Sequence, residues 1–209
     1  MAKKITRTII ELFNSKTKEL EVKCRWESPK TVVISASIFN QTKTNPFNEL
    51  INIENQATLH DFFQFYNEYN GFNFEVKTKK GQLENPIFNL LSEEEIPEWT
   101  NYFQPGGKYA YAIDFNKSKE LYRSKDKWIV IATIYKGYSA LAMFLEGENC
   151  GKIFLIDPEP KFNIIKPIAR NFTYLLELIT NDPAAFFKLV RAPIVIRGLA
   201  HYASRYIER

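Results

Sequence analysis

The chain has 209 residues, 45% of them hydrophobic and 25% charged, with a net charge of +4. That balance excludes a disordered chain, and two cysteines, Cys24 and Cys150, are too few for a disulfide framework. No stretch approaches the roughly 20 apolar residues of a membrane span. Met1 to Phe13 also lacks the continuous apolar run of a signal peptide, so the expected location is cytoplasmic, with both thiols free.

The charge excess has an address. From Pro183 onward the cations are Lys188, Arg191, Arg197, Arg205 and Arg209, against Glu208 alone, which accounts for the whole excess. The rest of the chain is balanced and gives no electrostatic case for direct nucleic-acid binding. With 17 Phe and 11 Tyr, the chain has the aromatic bulk for a sizeable core.

In chain order, Ile5, Ile9, Leu12 and Phe13 predict a short first helix. Leu20, Val22, Cys24 and Trp26 alternate with charged residues and predict a half-buried strand. Thr31 to Phe39 is rich in β-branched residues and predicts another. Asn40 to Asn48 reads as loop. Leu59, Phe62, Phe63, Tyr66 and Tyr69 form a helical stripe, with Thr58 as its cap and Asn70-Gly71 as a left-handed stop. Phe65 lies off the stripe and implies a second packing surface. Ser92-Glu93-Glu94-Glu95 is a capping-box sequence, opening a short turn that ends near Pro97.

Strands then dominate. Tyr109, Tyr111, Ile113 and Phe115 alternate. Trp128 to Tyr135 is a nearly continuous apolar run, the mark of a strand covered on both faces. Ala140 to Leu145 and Ile153 to Ile156 follow after short connections, which favour an antiparallel meander. Asn171 caps a helix that buries Phe172, Leu175, Leu176 and Ile179. Asp182-Pro183 starts another, interrupted at Pro193 and Gly198. The expected fold class is α+β: a meander sheet of four to six strands with helices on one side. Residues 1–190 would form one domain, and 191–209 a basic extension packed on it through its interleaved aromatic and aliphatic side chains.

The catalytic inventory is thin. His60 and His201 stand far apart, in no spacing that grips a metal. Gly137-Tyr138-Ser139-Ala140-Leu141 begins like a nucleophile elbow but reads as a hairpin turn. Gly106-Gly107-Lys108 lacks the earlier glycine and the hydroxyl of a P-loop. Neither a cofactor nor a metal is expected, and the reading is of a non-enzyme. The aromatics in or beside loops are more informative, because Tyr and Trp anchor interfaces at low entropic cost. Trp99, Tyr102, Tyr135, Lys136 and Tyr138 are therefore candidate partner-binding residues. Asp157 and Glu159, in the rigid turn Asp157-Pro158-Glu159-Pro160, join them, although such a turn also simply ends a strand.

The order of these elements resembles the SUKH superfamily, which includes bacterial immunity proteins and a fungal regulator of cell-wall synthesis. The helix from Leu59 to Tyr69 followed by Asn70-Gly71 is similar to that family's aromatic helix, with His60 in place of its proline. Ile96-Pro97-Glu98-Trp99 suits its middle segment, Trp128 to Asp157 its central hairpins, and Ile168 to Ile179 its closing helix. The resemblance spans roughly residues 20–190 and gives the basic tail no counterpart. It implies a non-catalytic scaffold that binds and blocks a toxin domain, a nuclease or a deaminase, without a membrane partner. Two alternatives stay open: a regulatory protein-binding module, and a carboxylate-based hydrolase.

Overall fold

In a computed structural model the described residues are 20–22, 30–42, 47, 57–78, 83–104, 127–134, 137, 139–156, 167–181, 186 and 189–190. The first helix, the strand around 109–115, Cys24, His201 and the extension 191–209 lie outside them. Among the described residues seven strands form one sheet in sequence order: β1 (Leu20–Val22), β2 (Lys30–Asn40), β3 (Tyr69–Thr78), β4 (Leu83–Leu90), β5 (Trp128–Ile134), β6 (Ser139–Phe144) and β7 (Ile153–Ile156). Each neighbouring pair is antiparallel, so the sheet is a meander and the chain is α+β. Among the described residues the helices α1 (His60–Glu68), α2 (Glu95–Phe103) and α3 (Phe172–Asn181) accompany it.

The sheet is wider than the four to six strands expected, because β3 takes in the dipeptide read as a helix stop and β4 forms from residues to which the sequence reading assigned no element. Asn70-Gly71 does not cap α1 with a left-handed turn. The helix instead gives way to extended backbone at Tyr69, and β3 begins there. Gly71 does carry a positive φ of 92°, but inside the strand. A Cβ on it would lie 2.3 Å from the Leu90 carbonyl oxygen and 2.9 Å from that of Leu91. Glycine is needed here because two backbones come together, one left-handed, with no room between them. In β4, Pro86 falls where the register with β3 jumps, between the pairs Phe74–Phe88 and Val76–Glu84. The missing N–H is tolerated at that irregularity.

β5, β6 and β7 are buried along their whole length, as the continuous apolar run of β5 requires. α1 and α3 meet through aromatic rings. Phe62 and Phe172 stand edge-on at 5.3 Å, and Phe65 reaches Phe172 at 5.4 Å. Phe65 is thus the second packing surface of α1, fully buried against Phe72 of β3 as well. The Thr173 hydroxyl donates to the Asp61 carboxylate, a polar link between the same two helices. Asn171 caps α3 as expected: its side-chain oxygen accepts the Tyr174 N–H at 2.8 Å. Thr58, by contrast, does not cap α1, which has Leu59 at its N-cap and no side-chain capping bond. Phe47, in the segment read as polar loop, is buried among Phe62 and Tyr66, with ring centroids 5.2 and 5.0 Å away. Past Asp182-Pro183 a helical bond joins the Val190 N–H to the Phe186 carbonyl, and Phe186 packs on Phe88 at 5.3 Å.

Among the described residues, Tyr66 is the large polar-tipped side chain fully closed off in this core. Its hydroxyl donates to the Leu91 carbonyl at 2.6 Å. Burial, and then the Glu95 carboxylate, push its pKa well above the ordinary value of 10.0. Because the folded pKa is the raised one, the contribution is fully present below pH 10.0 and is lost as pH rises toward the folded value. We therefore expect alkaline destabilisation above about pH 10 that is smaller in Tyr66→Phe. Urea titrations of both proteins from pH 8 upward read this difference, and parallel pH curves would contradict it. At neutral pH the variant should lose about 1–3 kcal/mol, since the Leu91 carbonyl loses its buried donor.

Candidate functional site

α2 is built from its first turn outward. The Ser92 N–H donates to Glu95 Oε2 at 2.8 Å, and the Glu95 N–H donates to Ser92 Oγ at 3.4 Å. This reciprocal pair is the capping box that the sequence signalled. Asn70 braces the same turn from β3: its Oδ1 accepts the Glu93 N–H at 2.8 Å, and its Nδ2 donates to Glu94 Oε2 at 3.0 Å. The side chain expected to end α1 thus anchors α2.

The segment is not a short turn ending at Pro97. Pro97 falls in the first turn of a helix that continues to Phe103, a position where a missing N–H costs little. Ile96, Thr100 and Phe103 are buried. Thr100 has a particular task. β4 stops pairing with β5 at Leu90–Ala132, and the Leu91 N–H makes the last bond, to the Ile131 carbonyl at 2.9 Å. The next strand N–H, that of Val130, donates to Thr100 Oγ1 at 2.9 Å. α2 therefore takes over the edge of β5 where β4 leaves it. No periodicity argument marks a threonine for that role.

The opposite side of α2 exposes Pro97, Glu98 and Asn101, with Trp99 and Tyr102 half-buried beside them. The two rings are edge-on at 5.4 Å, and Trp99 stacks on Phe103 at 6.1 Å with 26° between the planes. Trp99 also touches a second element. Gly137, with φ of 75°, lies in the connection between β5 and β6. A Cβ there would sit 2.3 Å from the indole Cη2 and 2.6 Å from Cζ3. The glycine that reads as the start of a nucleophile elbow is the hairpin residue on which the tryptophan rests.

Two of the seven candidate residues, Trp99 and Tyr102, are thus brought together. Tyr135, Lys136 and Tyr138 flank Gly137 in the chain and lie outside the described residues, as do Asp157 and Glu159. Register still relates the segments. Ile134 pairs with Ser139 beside the turn, and Ala140 pairs with Ile156, the last residue of β7. The chain therefore leaves β7 toward Asp157 at the end of the sheet that carries the Gly137 turn.

Among the described residues, chemistry elsewhere is sparse. His60 is exposed at the start of α1. Cys150 is a half-buried free thiol donating to the Leu145 carbonyl at 3.3 Å. Burial and then Glu146 raise its pKa, which disfavours the reactive thiolate. Among the described residues no three His, Cys, Asp or Glu side chains come together to hold a metal ion. Among them, too, no helix is long and apolar enough to cross a membrane.

No protein-family model matches the chain, and neither a curated protein nor a solved structure is significantly similar to it.

Proposed function

We propose that this chain is a SUKH-like immunity protein, acting in the cytoplasm, that binds a toxin domain and blocks it without catalysing a reaction. The observation that supports this most directly is the half-exposed Trp99–Tyr102 pair, with Trp99 held between Phe103 and the β5–β6 turn. Large aromatic rings already fixed by their surroundings lose little entropy on binding and supply most of an interface's energy. The partner is a protein domain, a nuclease or a deaminase; the chain uses no cofactor and does not engage nucleic acid directly. Tyr135, Lys136, Tyr138, Asp157 and Glu159, the other candidates from the sequence, belong to the same proposal and lie outside the described residues.

The test is capture of the toxin domain encoded beside this gene by the tagged, purified chain, followed by calorimetry. Trp99→Ala should weaken binding by about 30-fold or more, the equivalent of about 2 kcal/mol for an interface anchor. Tyr174→Ala is the control: this exposed tyrosine sits on α3 under the Arg170 guanidinium, 5.2 Å from the ring centroid. Equal losses in the two variants, or no binding by the parent chain, would sink the proposal.

A further inference from the structure

We infer that Gly137 is a positioning residue of this surface: the bare glycine is the seat of the Trp99 ring, and it fixes where that ring of α2 sits between the ends of β5 and β6. The basis is steric. Any Cβ at position 137 falls 2.3 Å and 2.6 Å from two ring atoms of Trp99, well inside contact distance. Two neighbouring rings limit the directions in which it can give way. It stacks on Phe103, which is fully buried, and meets Tyr102 edge-on. α2 itself is pinned at both ends of its first two turns, by Asn70 at Glu93 and Glu94 and by Thr100 at the Val130 N–H. The helix cannot slide away, so the strain of a substituent goes into the indole or into the turn. Either response parts two segments that the glycine holds in contact.

Only the consequence for binding rests on the reading of this face as a toxin-binding surface; the packing claim stands on the geometry alone. If the rings are aligned for a partner only a tenth of the time, apparent affinity falls about tenfold.

The experiment uses the full chain labelled with 5-fluorotryptophan. It has three tryptophans, Trp26, Trp99 and Trp128, and the resonance missing from Trp99→Phe identifies Trp99. Gly137→Ala and Gly137→Asn are then compared with the parent. Asn carries the same Cβ but tolerates a positive φ, so it separates the clash from backbone strain. The expected result is that both variants displace or broaden the Trp99 resonance by more than its linewidth. Trp128, which pairs with Phe144 at the far end of the hairpin, should keep its position and report that the fold persists. A Trp99 resonance unmoved in Gly137→Asn overturns the inference, and so does displacement of Trp128 to the same extent. If Trp99 moves while affinity for the toxin domain is unchanged, the positioning role is supported and the binding-surface reading is the one that fails.

Discussion

Phe62→Ala should lower the stability of the protein by about 3–5 kcal/mol, the usual range for deleting a buried phenyl ring. Phe62 is completely buried and lies at the centre of an aromatic group. Its ring centroid is 5.2 Å from Phe47, 4.7 Å from Tyr66 and 5.3 Å from Phe172. These rings come from a connecting segment, from α1 itself and from α3, so the loss is felt by three parts of the chain at once. Collapse into the space is limited, because Tyr66 is tethered through its hydroxyl to the Leu91 carbonyl. Domains are commonly stable by only about 5–15 kcal/mol, so much of the variant population should be unfolded at moderate temperature. Urea denaturation measures this as a lower midpoint at an unchanged slope. Phe172→Ala should behave similarly, and the double variant should lose less than the two single losses combined, since the rings share one contact. A loss below about 1 kcal/mol would mean that the α1–α3 contact is not part of the core.

Gly71→Ala should be nearly as damaging, for a different reason. The new methyl group would face the carbonyl oxygens of Leu90 and Leu91 at 2.3 and 2.9 Å, and neither is the movable end of a side chain. A positive φ adds about 1–2 kcal/mol for a residue with a Cβ, and overpacking about 1–3 kcal/mol more. The Leu91 carbonyl also accepts the Tyr66 hydroxyl, so pushing it aside disturbs a buried hydrogen bond. Gly137→Ala is the informative comparison. It has a similar φ, but its obstacle is an indole ring at the protein surface, and the two melting temperatures should differ clearly. Equal midpoints for the two variants would show that φ, and not the backbone contact, sets the cost at Gly71.

Several local structures were legible because a single short-range rule governs each. Ser92 and Glu95 signalled a capping box and form one. Asn171 signalled a cap and is one. The apolar run from Trp128 announced a strand covered on both faces, and every residue of β5 is buried. Phe62, Tyr66 and Phe172 were expected to be buried and are. The period of two in Phe72, Phe74 and Val76 was equally present in the sequence. Asn70-Gly71 obscured it, because the same dipeptide serves a helix stop or a close backbone crossing, and local chemistry does not distinguish them.

By itself, then, the sequence determined the α+β class, the antiparallel order of the central strands and the buried faces of α1 and α3, all of which follow from spacing along the chain. Only the tertiary structure decided that Asn70 would brace the start of α2, that Thr100 would complete the edge of β5, and that Trp99 would rest on Gly137. These partners are about 23 to 38 residues apart in the chain, and each contact depends on where β4 stops pairing with β5. Where that happens is set by packing across the whole sheet, which no window of neighbouring residues contains.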